Sequence, residues 1–309
     1  MKSGYILIDK DKGRTSFSVV SELRKILKTK KIGHTGTLDP MATGLLFFGI
    51  GKGTKAMSVL FSKRKEYIAT LILGITTDTD DITGKVLCNT NVKESILKNI
   101  KVKKSLTENM LIEKRIREVF YCFIGEQLQI PPMYSAKKIN GKKLYNLARE
   151  GIIVDRKPSK ITIYNIEILD INLPEIRFKV DCSKGTYIRT LCKDIGEKLG
   201  CKATMSSLRR IKTDDFNIED AATLNELKKM SDKEIGDRIV PLDFVFKSYS
   251  KCKMKKEKDT YLKNGNTLYP EDFIEYEDGE IIRVYFSNDI FAALYKKDGN
   301  DYKALKMFL

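Results

Sequence analysis

Gly33-His34-Thr35-Gly36-Thr37-Leu38-Asp39-Pro40-Met41-Ala42-Thr43-Gly44-Leu45-Leu46 is the stretch from which the rest of this chain can be read. It holds the sole histidine among 309 residues, together with an aspartate followed directly by proline. Proline fixes its own φ and disfavours helical backbone in the residue before it, so Asp39 stands on a stiff loop. Glycines at 33, 36 and 44 let backbone on either side come close to a neighbour. The apolar run Leu45 to Ile50 reads as a buried strand that tethers this loop to a core. A carboxylate presented in this way is placed for chemistry. Two plainer readings compete with it. Asp-Pro pairs also begin ordinary turns or cap helices. Gly33-His-Thr-Gly36 also fits the Gly-x-x-Gly loop with which KH modules clamp nucleic-acid backbone. The helix-like Ser16 to Lys28 and the basic run Lys28 to Lys31 suit that second reading, whereas Pro40 and a strand after Gly44 do not.

The length suits one large domain, or one large and one small. With 42% apolar residues the chain can bury a substantial core. Lysine and arginine number 57 against 41 acidic residues, a net charge of +16. Such a surplus favours a polyanionic partner, nucleic acid ahead of an acidic membrane. The basic residues cluster at Lys28-Thr-Lys-Lys31, Lys101-Val-Lys-Lys104, Lys137-Lys138, Lys142-Lys143 and Lys251 to Lys258, spacings that can follow a phosphate backbone.

No apolar run approaches the roughly 20 residues needed to span a bilayer. Asp9 and Lys10 interrupt Met1 to Asp9 as a signal-peptide core, so a cytoplasmic location is expected. The cysteines at 88, 122, 182, 192, 201 and 252 form no Cys-x-x-Cys pair, and one histidine removes most zinc-site patterns. Buried reduced thiols are therefore expected, without a zinc site. A Ser-His-Asp triad is excluded unless His34 is its base. Catalysis must rest on carboxylate, tyrosine, lysine or arginine.

Strands are expected at Tyr5 to Asp9, Leu45 to Ile50, Lys65 to Leu73, Ile161 to Ile171 and Ile176 to Cys182, the last two joined by an Asn172-Leu-Pro-Glu turn. Helices are expected at Ser16 to Lys28, with Val19, Val20, Leu23, Ile26 and Leu27 at helical spacing, and at Thr107 to Phe123 with Thr107 as its cap. Thr76 to Gly84 reads as a polar aspartate-rich loop, and Ile130 to Ala136 as an irregular loop leading to a short helix that ends at Gly151. Ser183-Lys-Gly185 turns into extended Thr186-Tyr-Ile-Arg189, which would put Tyr187 and Arg189 on one face. A helix with Leu191, Ile195 and Leu199 on one face then ends at Gly200, and Leu208-Arg209-Arg210 lies on another short strand. Ser248 to Lys258 reads as a linker or exposed edge. Short strands follow around Thr267 and at Ile281 to Phe286, Phe291 to Tyr295 and Tyr302 to Phe308, a small β-barrel-like module. The absence of steady βαβ alternation points to an α+β fold with a mixed, largely antiparallel sheet.

Several motifs occur in an order and spacing that resemble one family. These are Gly33 to Leu46, Lys65-Glu-Tyr67, Thr77-Asp-Thr-Asp-Asp-Ile-Thr-Gly84, Pro131-Pro-Met-Tyr-Ser-Ala136, Gly141-Lys-Lys-Leu-Tyr145 and Ser183-Lys-Gly-Thr-Tyr-Ile-Arg-Thr190. From about Tyr5 to Arg210 the chain resembles the TruB-type tRNA pseudouridine synthases, which isomerise the uridine at position 55 in the tRNA T-arm. The resemblance implies a pseudouridine-synthase catalytic domain over 1–245 with an RNA-gripping insertion at about 125–152. It implies a PUA-like RNA-binding module over 246–309. Asp39 matches the catalytic aspartate, Arg189 the arginine that pairs with it, and Tyr67 and Tyr187 the pocket tyrosines. Leu208 matches a pocket wall, and His34 the residue that fills the stem-loop where the flipped nucleotide leaves. Lys10, Lys55 and Asp81 complete the implied substrate-contacting set. The implied partner is the T-arm stem-loop, bound by a monomer without guide RNA, membrane or cofactor. Two relatives of this reading compete with it: an RNA-binding or tRNA-folding protein on the same fold without turnover, and a guide-RNA-dependent enzyme of the dyskerin type.

Overall fold

The computed structural model describes residues 3–57, 64–98, 100, 107–135, 137–139 and 141–309. The strand that carries Tyr67, Arg64–Leu73, is the axis of the fold. Antiparallel partners flank it on both edges, Glu175–Ser183 on one side and Ala203–Thr213 on the other. The sheet runs in the order Ala222–Thr223, Gly4–Lys10, Thr43–Ile50, Ala203–Thr213, Arg64–Leu73, Glu175–Ser183, Ser159–Asn172, Gly125–Gln129. Ile32–Thr35 pairs alongside Thr43–Ile50. Two junctions are parallel, Gly4–Lys10 with Ala222–Thr223 and Thr43–Ile50 with Ala203–Thr213, so the sheet is mixed and largely antiparallel. With helices packed on it, the fold is α+β, as the element pattern predicts.

Strand alternation explains why the Leu45 run is apolar at every position. Successive side chains leave opposite faces, and here both faces are covered. Ile6, Ile8, Leu46 and Phe48 enter the main core, against Val19, Val20 and Leu23 of helix Ser16–Ile26. Their alternates Tyr5, Leu7, Leu45 and Phe47 enter a second core with Phe246, Leu294 and Phe308 from the end of the chain. Helix Glu108–Tyr121 is capped by Thr107, which accepts from the Met110 N–H, and buries Ile112, Ile116, Val119 and Phe120 on the main core. Helix Ile188–Leu199 adds Leu191, Ile195 and Leu199, and ends at Gly200 in left-handed backbone.

The C-terminal segment forms its own sheet in the order Phe273–Glu275, Ser250–Met254, Ile281–Tyr285, Phe291–Asp298, Asp301–Met307. This path is open at both ends, with one isolated bridge from Leu268 to Tyr302 near the strand expected at Thr267. Ser248 to Lys258 is not a linker or an exposed edge. Ser250–Met254 is paired on both sides, and Cys252 and Met254 are fully buried. The lysines misled because they alternate with these apolar residues: one face is charged and the other is core.

Other expectations need smaller corrections. Thr76 to Gly84 begins in a strand, Ile75–Thr77, paired with Val86–Asn89. The strand holding Leu208 has 11 residues and is not short. Cys182, Cys192, Cys201 and Cys252 are buried, but Cys88 and Cys122 are exposed. The basic cluster Lys101 to Lys104 and Ala136 lie outside the described residues. Among the described residues no helix is long and apolar enough to cross a membrane.

Candidate active site

The loop carrying Asp39 is held from three directions before the carboxylate does anything. From helix Ser16–Ile26, the Ser16 hydroxyl accepts from the Leu38 N–H at 3.1 Å and donates to the Leu38 carbonyl at 3.3 Å. From strand Gly4–Lys10, the Lys10 ammonium donates to the carbonyls of Arg14, Asp11 and Pro40 at 2.8, 3.0 and 3.3 Å. From strand Ala203–Thr213, Arg210 donates through Nε to the Leu45 carbonyl at 2.7 Å and through Nη2 to the Gly36 carbonyl at 2.8 Å. Gly36 and Gly44 have φ of +66° and +103°, and a side chain at Gly44 would run into the Arg210 backbone. Only glycine suits that second position. The loop is pre-set.

Asp39 opens into a cleft of about 710 Å³, lined by Leu38, Tyr67, Tyr187, Arg189 and Leu208 among others. That volume suits a nucleotide-sized group. Arg189 sits at its base with its side chain 6% exposed, and its Nε meets Asp39 Oδ2 at 3.0 Å. The rest of the guanidinium serves other segments. Nη1 donates to the Thr79 carbonyl at 3.1 Å and lies 3.6 Å from Asp81 Oδ2, and Nη2 donates to the Tyr134 carbonyl at 2.7 Å. One planar fork therefore ties the Asp39 loop, the aspartate-rich loop and the Pro131 loop together, a task its fixed geometry suits.

Tyr187 and Arg189 do not share an extended face. Helix Ile188–Leu199 begins two residues earlier than the sequence suggests, with Tyr187 as its extended N-cap and Arg189 in the first turn. The buried Gln129 side chain causes this. It accepts from the Tyr187 N–H at 2.8 Å and donates to the Tyr187 carbonyl at 3.0 Å, so the cap's backbone is satisfied by a side chain from another strand. Both residues still line the cleft.

Burial pushes the Asp39 carboxyl above the ordinary carboxylate range; Arg189 and Lys10 oppose this and Asp81 adds to it. Burial likewise raises Tyr67, with Arg210 opposing, so its phenol stays protonated at neutral pH. His34 is lowered, first by burial and then by Arg210, and stays neutral. It lies on strand Ile32–Thr35 with its ring 5.9 Å from Phe48, outside the cleft lining. Among the described residues its Nδ1 has no hydrogen-bond partner.

The structure thus brings Asp39, Tyr67, Arg189, Tyr187, Leu208 and Asp81 to one cleft. Lys10 supports the loop from beneath, with its pKa down to about 8 chiefly through burial. Lys55 stands elsewhere and donates to the Leu309 carbonyl at 2.7 Å. Sequence reasoning passed over Arg210 and Gln129. Arg210 had a signal: it stands two positions after Leu208 on a strand, hence on the same face. Gln129 had none. The assembly is a half-exposed carboxylate, held by a guanidinium, facing an aromatic and aliphatic cleft large enough for a base.

The model of the TruB family pseudouridylate synthase N-terminal domain matches residues 24–188, and that of the tRNA pseudouridylate synthase B C-terminal domain matches residues 189–247. The tRNA pseudouridine synthase B of Clostridium tetani (strain Massachusetts / E88) is 42% identical, over 99% of this chain and 100% of that protein. That of Alkaliphilus oremlandii (strain OhILAs) is 43% identical, over 96% and 95%. Among solved structures, the crystal structure of a Cbf5-Nop10-Gar1 complex holds a chain that is 25% identical with a TM-score of 0.68. That likeness covers 99% of this chain and 85% of the other.

Proposed function

The chain belongs to the TruB family of pseudouridylate synthases and isomerises uridine to pseudouridine in tRNA, and we propose that its target is the uridine at position 55 of the T-arm. The observation that carries this reading is the Asp39–Arg189 pair at the base of the cleft. A base in a folded T-loop must be extruded before chemistry, at a cost of a few kcal/mol, which stacking and hydrogen bonds in the pocket partly offset. Asp39 then forms a covalent bond to the extruded nucleotide. The N1–C1′ bond breaks, the uracil turns, C5 bonds to C1′, the bond to Asp39 breaks to return its free carboxylate, and the hydrogen leaving C5 is balanced by one taken up at N1. Atoms and electrons balance within the nucleotide, so no outside reductant or group donor enters. Tyr67 contributes its ring to stacking, and its protonated hydroxyl as a hydrogen-bonding group. Tyr187 and Leu208 wall the pocket, and Arg189 holds Asp39 in place.

The chain acts alone, in the cytoplasm where tRNA is. Its 42% identity to a tRNA pseudouridine synthase B over the full length of both chains, against 25% to the Cbf5 complex, supports this over a guide-dependent reading. The test is incubation of pure protein with unmodified tRNA and with a bare T-arm hairpin, followed by nucleoside-resolved detection of pseudouridine. Product from protein alone is expected. A requirement for added guide RNA would favour the other reading.

Residues 246–309 act as a PUA-type module that binds RNA alongside the catalytic domain. Because its residues share a core with Tyr5 and Phe47, truncation would expose apolar surface. Charge removal is the cleaner test. Lys251, Lys256 and Lys263 are exposed, and changing all three to Gln leaves the buried residues in place. If they neutralise phosphates, the slope of log affinity against log salt should fall by about 0.7 to 0.9 for each phosphate no longer neutralised. Equal slopes for the two proteins would leave this segment a structural role only.

A further inference from the structure

Lys65 stands two residues before Tyr67 on the same strand, so the two side chains leave one face about 7 Å apart along it. Its register neighbours are Cys182 and Thr213, at the end of the strand where the sheet meets the surface. It lines two clefts at once: the one holding Asp39 and Tyr67, and an adjoining one of about 500 Å³ that also touches Arg64, Asp181, Lys212 and Asp214. The Lys65 ammonium lies under the Asp39 loop. A Cβ placed on Gly36 would stand 3.3 Å from Lys65 Nζ and 3.3 Å from Arg210 Nη1.

Four neighbouring cations are engaged. Arg189 is spread over three segments, Arg210 holds two carbonyls, Lys10 holds three, and Arg64 is paired with Asp181. Among the described residues Lys65 has no carboxylate within ion-pair distance and donates no hydrogen bond. The groups facing it are Arg210 from strand Ala203–Thr213, Asp214 from the turn beyond it, and Cys182 and Lys184 from the neighbouring strand and its turn. Burial first, and Arg210 second, push its pKa down to about 8. A half-buried ammonium beside another cation is unfavourable until an anion arrives. RNA brings one with every nucleotide.

Lys65 shares the cleft with Tyr67 and Asp39, within reach of a nucleotide whose base lies against Tyr67. We propose that Lys65 receives a phosphodiester oxygen flanking the extruded uridine and so fixes the ribose over Asp39. This inference rests on the isomerase reading above and adds to it a binding residue for the backbone of the target nucleotide.

The test couples the lysine to one phosphate. T-arm hairpins carry a neutral methylphosphonate immediately 5′ or 3′ of the target uridine, each compared with the natural linkage, for wild type, Lys65→Met and Lys65→Arg. One of the two replacements should lower wild-type kcat/KM about tenfold, as for a lost charge-assisted hydrogen bond. Lys65→Met should show that loss already on the natural hairpin and no further loss on the neutral one. Lys65→Arg should restore the sensitivity. A double-mutant cycle with no coupling at either linkage overturns the proposal, as does a wild type indifferent to both replacements. The cycle is read in hairpin affinity as well as kcat/KM. A chain that bound the hairpin with the predicted coupling but formed no pseudouridine would overturn the isomerase reading alone.

Discussion

Asp39→Asn is expected to abolish pseudouridine formation while tRNA affinity changes by less than about tenfold, or about 1.4 kcal/mol. The amide is isosteric with the carboxylate and keeps an oxygen for Arg189 Nε, so the loop should hold its place. It cannot act as the nucleophile. One carboxylate facing a polyanion is also no major source of affinity. Stability separates this outcome from simple unfolding. Because burial raises the Asp39 pKa in the folded chain, folding favours the protonated form, and the charge is a cost at neutral pH. The Asn variant should therefore be at least as stable as wild type at pH 7. Any advantage should shrink as the pH falls through the raised pKa, where wild type becomes neutral too. The same shift sets an acid limb on wild-type kcat/KM, since only the ionised carboxylate attacks, and that limb should lie above the ordinary carboxylate range. An active Asn variant, or parallel loss of binding and turnover, would sink the assignment.

Arg189→Lys should lower kcat/KM by about 10² to 10³, the scale of losing one well-aligned polar group at an active site. Of the guanidinium's prongs only Nε reaches the Asp39 carboxylate. The other prongs hold the Thr79 and Tyr134 carbonyls. A lysine ammonium keeps the charge, yet from one point it cannot reach three segments. Two half-buried carbonyls would lose their donor, with an expected stability loss of about 2 kcal/mol. Asp39 would lose alignment, and with a weaker counter-charge the acid limb should move to higher pH. The measurement is kcat/KM against pH together with thermal unfolding. Near-normal turnover would show that the position of the guanidinium does not matter.

Much of the site was legible because local chemistry demands it. Asp39 before Pro40, between glycines and an apolar run, announces a rigid loop on a core. The strand carrying Tyr67 is apolar enough to read as central, but the pocket role of Tyr67 comes only with the resemblance to the TruB family. Arg189 could be named but not placed. Its backbone state depends on Gln129, which lies 60 residues upstream and clamps Tyr187 from across the sheet. The Ser250–Met254 strand was misread because charge dominates its composition, and only pairing on both edges reveals the buried Cys252 and Met254.

From the residues alone follow the α+β class, the stiff aspartate loop, the polyanionic partner and the restriction of catalysis to carboxylate, tyrosine, lysine or arginine, because each rests on local backbone preference, periodicity, charge or the near-absence of histidine. Tertiary structure alone settles who holds whom. It spreads Arg189 over three loops, turns Lys10 inward beneath Pro40, sets Arg210 under Gly36, and leaves Lys65 at the rim with no anion at ion-pair distance among the described residues. Those outcomes depend on contacts between residues far apart in the chain, and the energy of a buried charge is set by all its neighbours at once, which no spacing along one strand can reveal.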